Sequence, residues 1–311
     1  MSELHVVTGA FGFTGRHVAS HLLAAGHRVR TLTNTPPSGA NAGRVEVHPL
    51  DFGDRDALLR ALEVADTLVN TYWVRFQAAG FDQERAVANS FRLIQAAREV
   101  GVRRIVHVSI TNPSHGSPYR YFRGKAHVEE ALYDCGVPHS IVRPALVFGP
   151  GDVLINNIAW FLRRFPAFGV FGDGAYRVQP IHVDDLARLV VRECARGAEP
   201  NRTVDAIGPD TFTYARMVRA IAHAIDVRRP LLRIPARTGL AVSRLVGRMV
   251  GDVVLTDEEI GALMDGLLAT DSPPTGSIRL SGWAQEHADT LGRRYASEVG
   301  RRRPLPAALA S

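Results

Sequence analysis

Short apolar runs alternate with helical runs of a dozen or so residues through the first half of the chain, and no other feature limits the fold as much. Leu4–Thr8 reads as a strand and residues 13–25 as a helix ended by Gly26. Further strands are expected at about 27–33, 44–49, Thr67–Thr71, Arg104–Ser109 and His139–Val142. Helices intervene near 54–63, opened by Asp54, at 82–100, closed by Gly101, and at 121–135, stopped by Gly136. Alternation of this kind predicts a parallel sheet covered on both faces. Right-handed crossovers make a doubly wound α/β sheet the expected form.

Past Pro150 the pattern loosens. A glycine-rich turn, Gly169–Gly174, precedes Pro180-Ile-His-Val-Asp-Asp185 and a helix reaching about Arg196. Residues 211–298 read as several amphipathic helices with one extended segment near Leu231–Ile234. The expected division is a sheet domain over 1–150 and a smaller, mostly helical substrate lobe over 151–311, with about 181–210 returning to the first domain.

The first strand runs into Gly9-Ala-Phe-Gly12-Phe-Thr-Gly15-Arg16, which in turn opens a helix. Glycine at these places allows a tight turn, a close approach to a pyrophosphate, and close helix–strand packing. The helix N-terminus offers its amides and positive dipole end to phosphate oxygens. The reading is a dinucleotide site in a Rossmann sheet. The end of the second strand, Thr31-Leu-Thr-Asn34, holds no acid to pair with a ribose 2′-hydroxyl. Arg16 and Arg30 are candidates for a 2′-phosphate or are plain surface arginines. The expected cofactor is NADP or NAD, with the lean toward NADP. Asp51 and Phe52, after the third strand, stand where side chains flank an adenine, or Asp51 serves only the next helix.

Of 37 basic side chains a single one, Lys125, is lysine. Such a bias toward arginine makes the lysine notable, because a compact ammonium fits where a planar guanidinium fork does not. Four residues earlier stands Tyr121, so phenol and ammonium share a helix face. A cation beside a phenol favours the phenolate, and such a pair can move a proton to or from a substrate oxygen. On the preceding strand end, Ser109 and Thr111 point to the same side. Either hydroxyl could orient a reacting carbonyl or alcohol, with Thr111, nearer the mouth of the sheet, the first choice.

With Val142-Arg-Pro-Ala-Leu-Val-Phe-Gly-Pro150, Gly172-Asp-Gly174 and Pro180-Ile-His-Val-Asp-Asp-Leu186, these motifs resemble the short-chain dehydrogenase/reductase superfamily, in its extended and atypical branches, over about residues 4–190. The chain is also similar to atypical NAD(P)H-binding proteins related to an accessory subunit of respiratory complex I, many of which lack the tyrosine. The resemblance implies phosphate binding at Gly9, Gly12 and Gly15, proton transfer at Tyr121, a bond from Lys125 to the nicotinamide ribose, and a substrate-orienting hydroxyl at Thr111. Phe13, Thr14, Arg16, Asn34, Asp51, Phe52, Asn70, Thr71 and Pro144 complete the expected cofactor set. Two features depart from the family habit. Only nine residues separate Thr111 from Tyr121, and the Thr33/Asn34 strand end matches neither the NAD nor the NADP pattern.

Tyr72 and Trp73, followed by Arg75 and Phe76, sit where ligands lie in such sheets and line a pocket or close a core. Asn156 and Arg177 are further candidates for holding polar substrate groups. His17 and His21 lie one turn apart, but no third ligand accompanies them and no metal is expected. His182 reads as a structural hydrogen-bonder. The net charge of +6 is spread along the chain apart from Arg301–Arg303, which argues against a nucleic-acid partner. No apolar run approaches the ~18–20 residues of a membrane span, and the two cysteines, Cys135 and Cys194, lie far apart. The expectation is a cytoplasmic enzyme acting on a small molecule, without membrane or nucleic-acid partners and with a homodimer left open. It would be an NAD(P)-dependent oxidoreductase acting on a carbonyl or secondary alcohol. The alternatives are an epimerase or dehydratase with tightly held cofactor, and a non-catalytic NAD(P)H-binding sensor or assembly subunit.

Overall fold

The computed structural model describes residues 2–74 and 82–302, so Arg75, Phe76 and Arg303 lie outside the described residues. In chain order the strands and helices are β1 (Leu4–Thr8), α1 (Phe13–Ala24), β2 (Arg28–Leu32), β3 (Glu46–His48), α2 (Arg55–Leu62), β4 (Thr67–Asn70), α3 (Gln83–Glu99), β5 (Arg104–Val108), α4 (Arg120–Asp134) and β6 (His139–Pro144). They continue with β7 (Leu146–Phe148), α5 (Leu154–Arg164), β8 (Phe168–Phe171), β9 (Arg177–Val178), β10 (Pro180–His182), α6 (Val183–Cys194), β11 (Arg202–Ala206), β12 (Phe212–Thr213) and α7 (Tyr214–Ala224). The remainder are β13 (Leu231–Ile234), α8 (Ala236–Val250), α9 (Asp257–Met264), α10 (Leu280–Glu286) and α11 (Glu298–Arg302).

Two compact units result, one built from residues up to 144 with 186–205, the other from 145–185 with the described residues from 206 on. Among the described residues the first unit carries a seven-stranded sheet in the order β11-β6-β5-β4-β1-β2-β3. β1 pairs in parallel with both β2 and β4, so the chain moves outward to one side, crosses back through α2, and proceeds to the other side. The reversal point lies between the ends of β1 and β4, the place where doubly wound sheets bind ligands.

Period-two alternation sends Val6, Leu32, Leu68, Ile105 and Ile141 into one core with Leu58 and Leu62 of α2, Leu93 and Ile94 of α3, and Val128 and Leu132 of α4. The opposite set, Val7, Val69, Val106 and Val142, is buried as well, which is what helices on both faces require. Each such side chain contributes about 1.5–3 kcal/mol by leaving water. Asp54 caps α2 by accepting from the Ala57 amide at 2.8 Å. Arg104, 3% exposed, ties the stretch before β11 to the sheet, donating to Ser140 Oγ at 2.8 Å and to the Ala198 and Glu199 carbonyls at 2.6 and 3.1 Å.

Sequence reasoning missed β11. Of Arg202-Thr-Val-Asp-Ala206 only Val204 and Ala206 are buried, the half-polar pattern of an edge strand. The second unit also holds more strand than its sequence suggests. β7 pairs with β10, β9 with β12, and β8 with β13, each as a two-stranded sheet. Runs of two to four residues are too short to show a period.

Candidate active site at the reversal point of the sheet

Gly9 takes φ +67°, a region closed to most side chains, and its amide donates to the Leu32 carbonyl at 3.0 Å. The turn then folds back so tightly that a Cβ at Gly15 would stand 2.2 Å from the Gly9 carbonyl oxygen. Phe13 and Thr14 are half-buried in the first turn of α1, which has no acidic residue and no side-chain cap at Gly12. An anion fits such an end, because backbone amides and the helix dipole face it without a competing carboxylate.

Thr8 joins this turn to the end of β4. Its hydroxyl accepts from the Thr71 and Tyr72 amides at 2.8 and 3.0 Å, and Thr71 Oγ1 returns a bond to the Thr8 carbonyl at 2.5 Å. Asn70 is fully buried. Its Oδ1 accepts from the Tyr72 amide at 3.0 Å, while its Nδ2 makes no hydrogen bond. Tyr72 stacks obliquely on Phe52 at 4.8 Å between ring centres and accepts from Asn89 Nδ2 at 3.0 Å. Asp51 Oδ1 takes the Gly53 amide at 2.7 Å. Asn34 is bonded both ways to the Leu50 backbone, at 2.8 and 3.1 Å, which fastens the ends of β2 and β3 together.

The two arginines weighed for a 2′-phosphate part company. Arg30 is buried, pairing with Glu46 at 2.9 Å and donating to the Ala61 and Glu63 carbonyls at 3.0 and 3.2 Å near the end of α2. Its fork is committed to holding β2, β3 and α2 together, so it is removed from the candidates. Arg16 lies on α1 with its guanidinium 5.6 Å from the centre of the Phe13 ring.

On α4 the buried face reads Phe122, Lys125, Ala126, Val128, Glu129 and Leu132. Spacing calls for apolar residues at 125 and 129, so two charged ones need partners. Glu129 has Arg143, which binds it with both Nε, at 3.0 Å, and Nη2. Lys125 is 2% exposed and donates to the Val108 carbonyl at 2.8 Å, with its ammonium 4.2 Å from the centre of the Trp73 ring. Burial pulls it down to about 7, against the opposing pull of Glu129. Tyr121, half-buried, meets the same indole edge-on at 5.6 Å. One aromatic side chain from beyond β4 thus touches both members of the helical pair.

Beneath them, the Thr111 amide donates to the Pro144 carbonyl at 3.1 Å and the Ser109 amide to Val142 at 2.7 Å, which seats both residues at the end of β5 beside β6. Thr111 is fully buried, and Ser109 is 4% exposed with a hydroxyl that has no hydrogen-bond partner. His107, unnoticed in the sequence, is wholly buried two residues below Ser109, and neither ring nitrogen is bonded. Burial, and then the Lys125 charge, hold its imidazole well below the ordinary value. A strand histidine without a spaced partner gives no sequence signal.

Asn156 and Arg177 belong to the second unit. The Asn156 amide spans the Arg294 carbonyl at 2.9 Å and the Gly292 amide at 3.1 Å, and Arg177 pairs with Asp271 at 3.0 Å. His182 Nδ1 accepts the Asp184 amide at 3.2 Å, in keeping with a structural part. Glu3, His5 and His27 gather their ligand-type atoms within 4.8 Å of one another, but Arg196 and Arg103 reach the Glu3 carboxylate at 2.5 and 3.6 Å and supply its positive charge.

The chain is similar to known proteins in both sequence and fold. It is 26% identical over 285 residues, 86% of this chain and 71% of the other, to NADH dehydrogenase [ubiquinone] 1 alpha subcomplex subunit 9, mitochondrial, of Arabidopsis thaliana. It is 28% identical over 249 residues, 77% of this chain and 76% of the other, to a ceramide reductase of Caulobacter vibrioides. Its fold matches the triphenylmethane reductase of Citrobacter sp. complexed with NADP(H), with TM-score 0.74 and 15% identity over 93% of this chain and all of that one. A model described as the NAD dependent epimerase/dehydratase family matches residues 5–205, well over half the sequence. The chain therefore belongs to the NAD-dependent epimerase/dehydratase family.

Proposed function

We propose that this protein is an NAD(P)-dependent oxidoreductase that interconverts a carbonyl and a secondary alcohol on a small organic molecule. The observation that carries this reading is Lys125, the sole lysine, buried one turn from Tyr121 on the core face of α4. The glycine turn opening α1, whose first turn carries no acidic residue and no side-chain cap, fits a dinucleotide diphosphate. Gly9, Gly12 and Gly15 would hold that diphosphate, Asp51 and Phe52 the adenine end, and Lys125 the ribose hydroxyls near the nicotinamide. When bound, the cofactor supplies or accepts a hydride. NADP is the form preferred in this reading, with Arg16 the side chain offered to a 2′-phosphate.

The chain's own chemistry is proton transfer. In reduction the Tyr121 hydroxyl gives its proton to the substrate oxygen as the carbon gains hydride, and in oxidation it takes that proton back. The Lys125 ammonium favours the phenolate left behind. A hydroxyl from Thr111 or Ser109 holds the substrate oxygen in line, and the unpartnered Ser109 Oγ is free to do so.

Titration of the purified protein with NADPH and NADH, followed by turnover across a panel of carbonyl substrates, tests the reading. Tyr121→Phe is expected to bind cofactor as the wild type does and to lose turnover by roughly 10²–10⁴-fold. Equal turnover in both proteins would overturn the assignment of Tyr121. A chain that binds cofactor and turns over nothing would support the non-catalytic reading, which the similarity to a complex I subunit favours. Product formed without net cofactor consumption would point to epimerase or dehydratase chemistry.

A further inference from the structure

Helix α8 is built inside out. The residues it turns toward the second unit are Gly239, Ser243, Val246 and Gly247, three of them small. The large apolar residues face water: Val242 is 51% exposed, Leu245 58% and Met249 75%. The helix cannot roll to reverse this. A Cβ at Gly239 would stand 2.1 Å from Phe171 Cε1, and one at Gly247 would stand 2.6 Å from the Asp252 carbonyl oxygen. Small residues are therefore required on the inner face, and the outer apolar stripe is what remains.

At 100° per residue, Val242, Leu245 and Met249 form one stripe, and Arg237, Arg244 and Arg248 fall together along one edge of it. Between Asp226 and Asp252 the chain carries six arginines and no carboxylate. Arg244 approaches Asp257 of α9 at 3.8 Å, a loose and exposed pair. A groove lined by Arg244, Arg248, Val253, Val254 and Leu255 runs beside the C-terminal half of the helix. The one carboxylate in its lining, Asp252, is buried and bonded to the Tyr295 hydroxyl and the Glu298 and Val299 amides. The stripe is aliphatic and offers no tyrosine, tryptophan or amide of the kind that anchors protein interfaces. Aliphatic side chains bordered by arginine on an acid-free segment match a headgroup boundary of negative charge.

We propose that α8 docks this protein on an anionic phospholipid surface, with Val242, Leu245 and Met249 entering the acyl boundary and Arg237, Arg244 and Arg248 meeting the lipid phosphates. Among the described residues no helix is long and apolar enough to cross a membrane. The expectation of no membrane partner rested on that criterion alone, which does not detect a helix lying in the interface plane.

Co-flotation of the full chain with vesicles tests the proposal. The protein should float with phosphatidylcholine vesicles containing phosphatidylglycerol, stay behind with phosphatidylcholine alone, and be released by high salt. Leu245→Ser with Met249→Ser should weaken partitioning roughly tenfold. Arg244→Gln with Arg248→Gln should weaken it roughly twentyfold. Arg244→Lys with Arg248→Lys should leave it within about twofold, because a lipid surface reads charge rather than a guanidinium fork. Both pairs of positions are exposed, so unchanged melting temperatures are expected and show that the variants fold. Absence of flotation with the anionic vesicles, equal flotation with both vesicle types, or serine and glutamine variants that partition like the wild type would each overturn the proposal.

Discussion

The Trp73 indole lies across the Lys125 ammonium, with 4.2 Å between Nζ and the ring centre, and the same ring meets Tyr121 edge-on at 5.6 Å. A cation on an aromatic face gains about 0.5–2 kcal/mol, more as water is excluded. In this arrangement the indole and the Val108 carbonyl do for the ammonium what ribose hydroxyls do in the proposed complex. The indole and the sugar then compete for Lys125. Trp73→Ala should tighten NADPH binding by roughly threefold to tenfold in calorimetric titration, and wild-type tryptophan emission should change on cofactor addition. Unchanged affinity in the variant would show that the indole stays in place when cofactor arrives.

Lys125 itself makes a signed prediction. Its ordinary value is 10.5, and burial lowers it to about 7. Between those values the unfolded chain holds a proton that the folded chain has released, so this group makes stability rise with pH from about 7 to 10.5. Below 7 the full cost of a buried ammonium is present. Lys125→Met keeps the stem and removes the charge. It should raise stability at pH 6 by about 2–4 kcal/mol, flatten the slope between pH 7 and 10.5 in urea melts, and abolish turnover. A variant that melts with the wild-type pH profile would show that the ammonium is not the source of that slope.

Arg16 and Arg30 separate cofactor choice from folding. Arg16→Ala should weaken NADPH about tenfold, the loss of one charge-assisted contact, and leave NADH unchanged. Arg30→Met should cost about 1–3 kcal/mol of stability, chiefly through the freed Ala61 and Glu63 carbonyls, because Glu46 is exposed and keeps His48, without altering the ratio of the two affinities. A fall in NADPH affinity alone for Arg30→Met would reverse the assignment.

The contrast between these arginines shows which parts of the site are legible in a sequence. Strand two places Arg30 near the cofactor in sequence, but alternation and the end of α2 decide where its fork goes, and those are tertiary facts. The sheet was readable because long, strongly periodic segments bounded by glycine leave little choice. β11 and, apart from the expected segment Leu231–Ile234, the strands paired in the second unit were not, because a strand of two to five residues has too short a run to show a period. Lys125 stood out through composition, and its 2% exposure on a face where spacing demands an apolar residue gives the physical reason for a slender ammonium. His107 was invisible: burial in a strand interior leaves no spacing signature. The outward stripe of α8 was hidden for the opposite reason, since its periodicity reads as an ordinary core-facing helix until Gly239 and Gly247 are seen to occupy the core side.

His5 gives a signed prediction on the acid side. It sits in β1 at 1% exposure, edge-on to His27 at 4.7 Å, and neither of its ring nitrogens makes a hydrogen bond. Burial and the neighbouring His27 lower it from 6.5 to about 4, with Glu3 and Asp66 pulling the other way. Between pH 6.5 and 4 the unfolded chain therefore takes up a proton that the folded chain refuses. Stability contributed by the neutral imidazole is whole above 6.5 and declines as the pH falls toward 4, by on the order of 3 kcal/mol. His5→Phe keeps a ring of similar size and removes the titration. Its denaturation free energy should vary less across that window, by up to one proton's worth of slope, while the two proteins run parallel above pH 7. Identical acid slopes would mean that the proton enters elsewhere, with buried His107 the next group to replace.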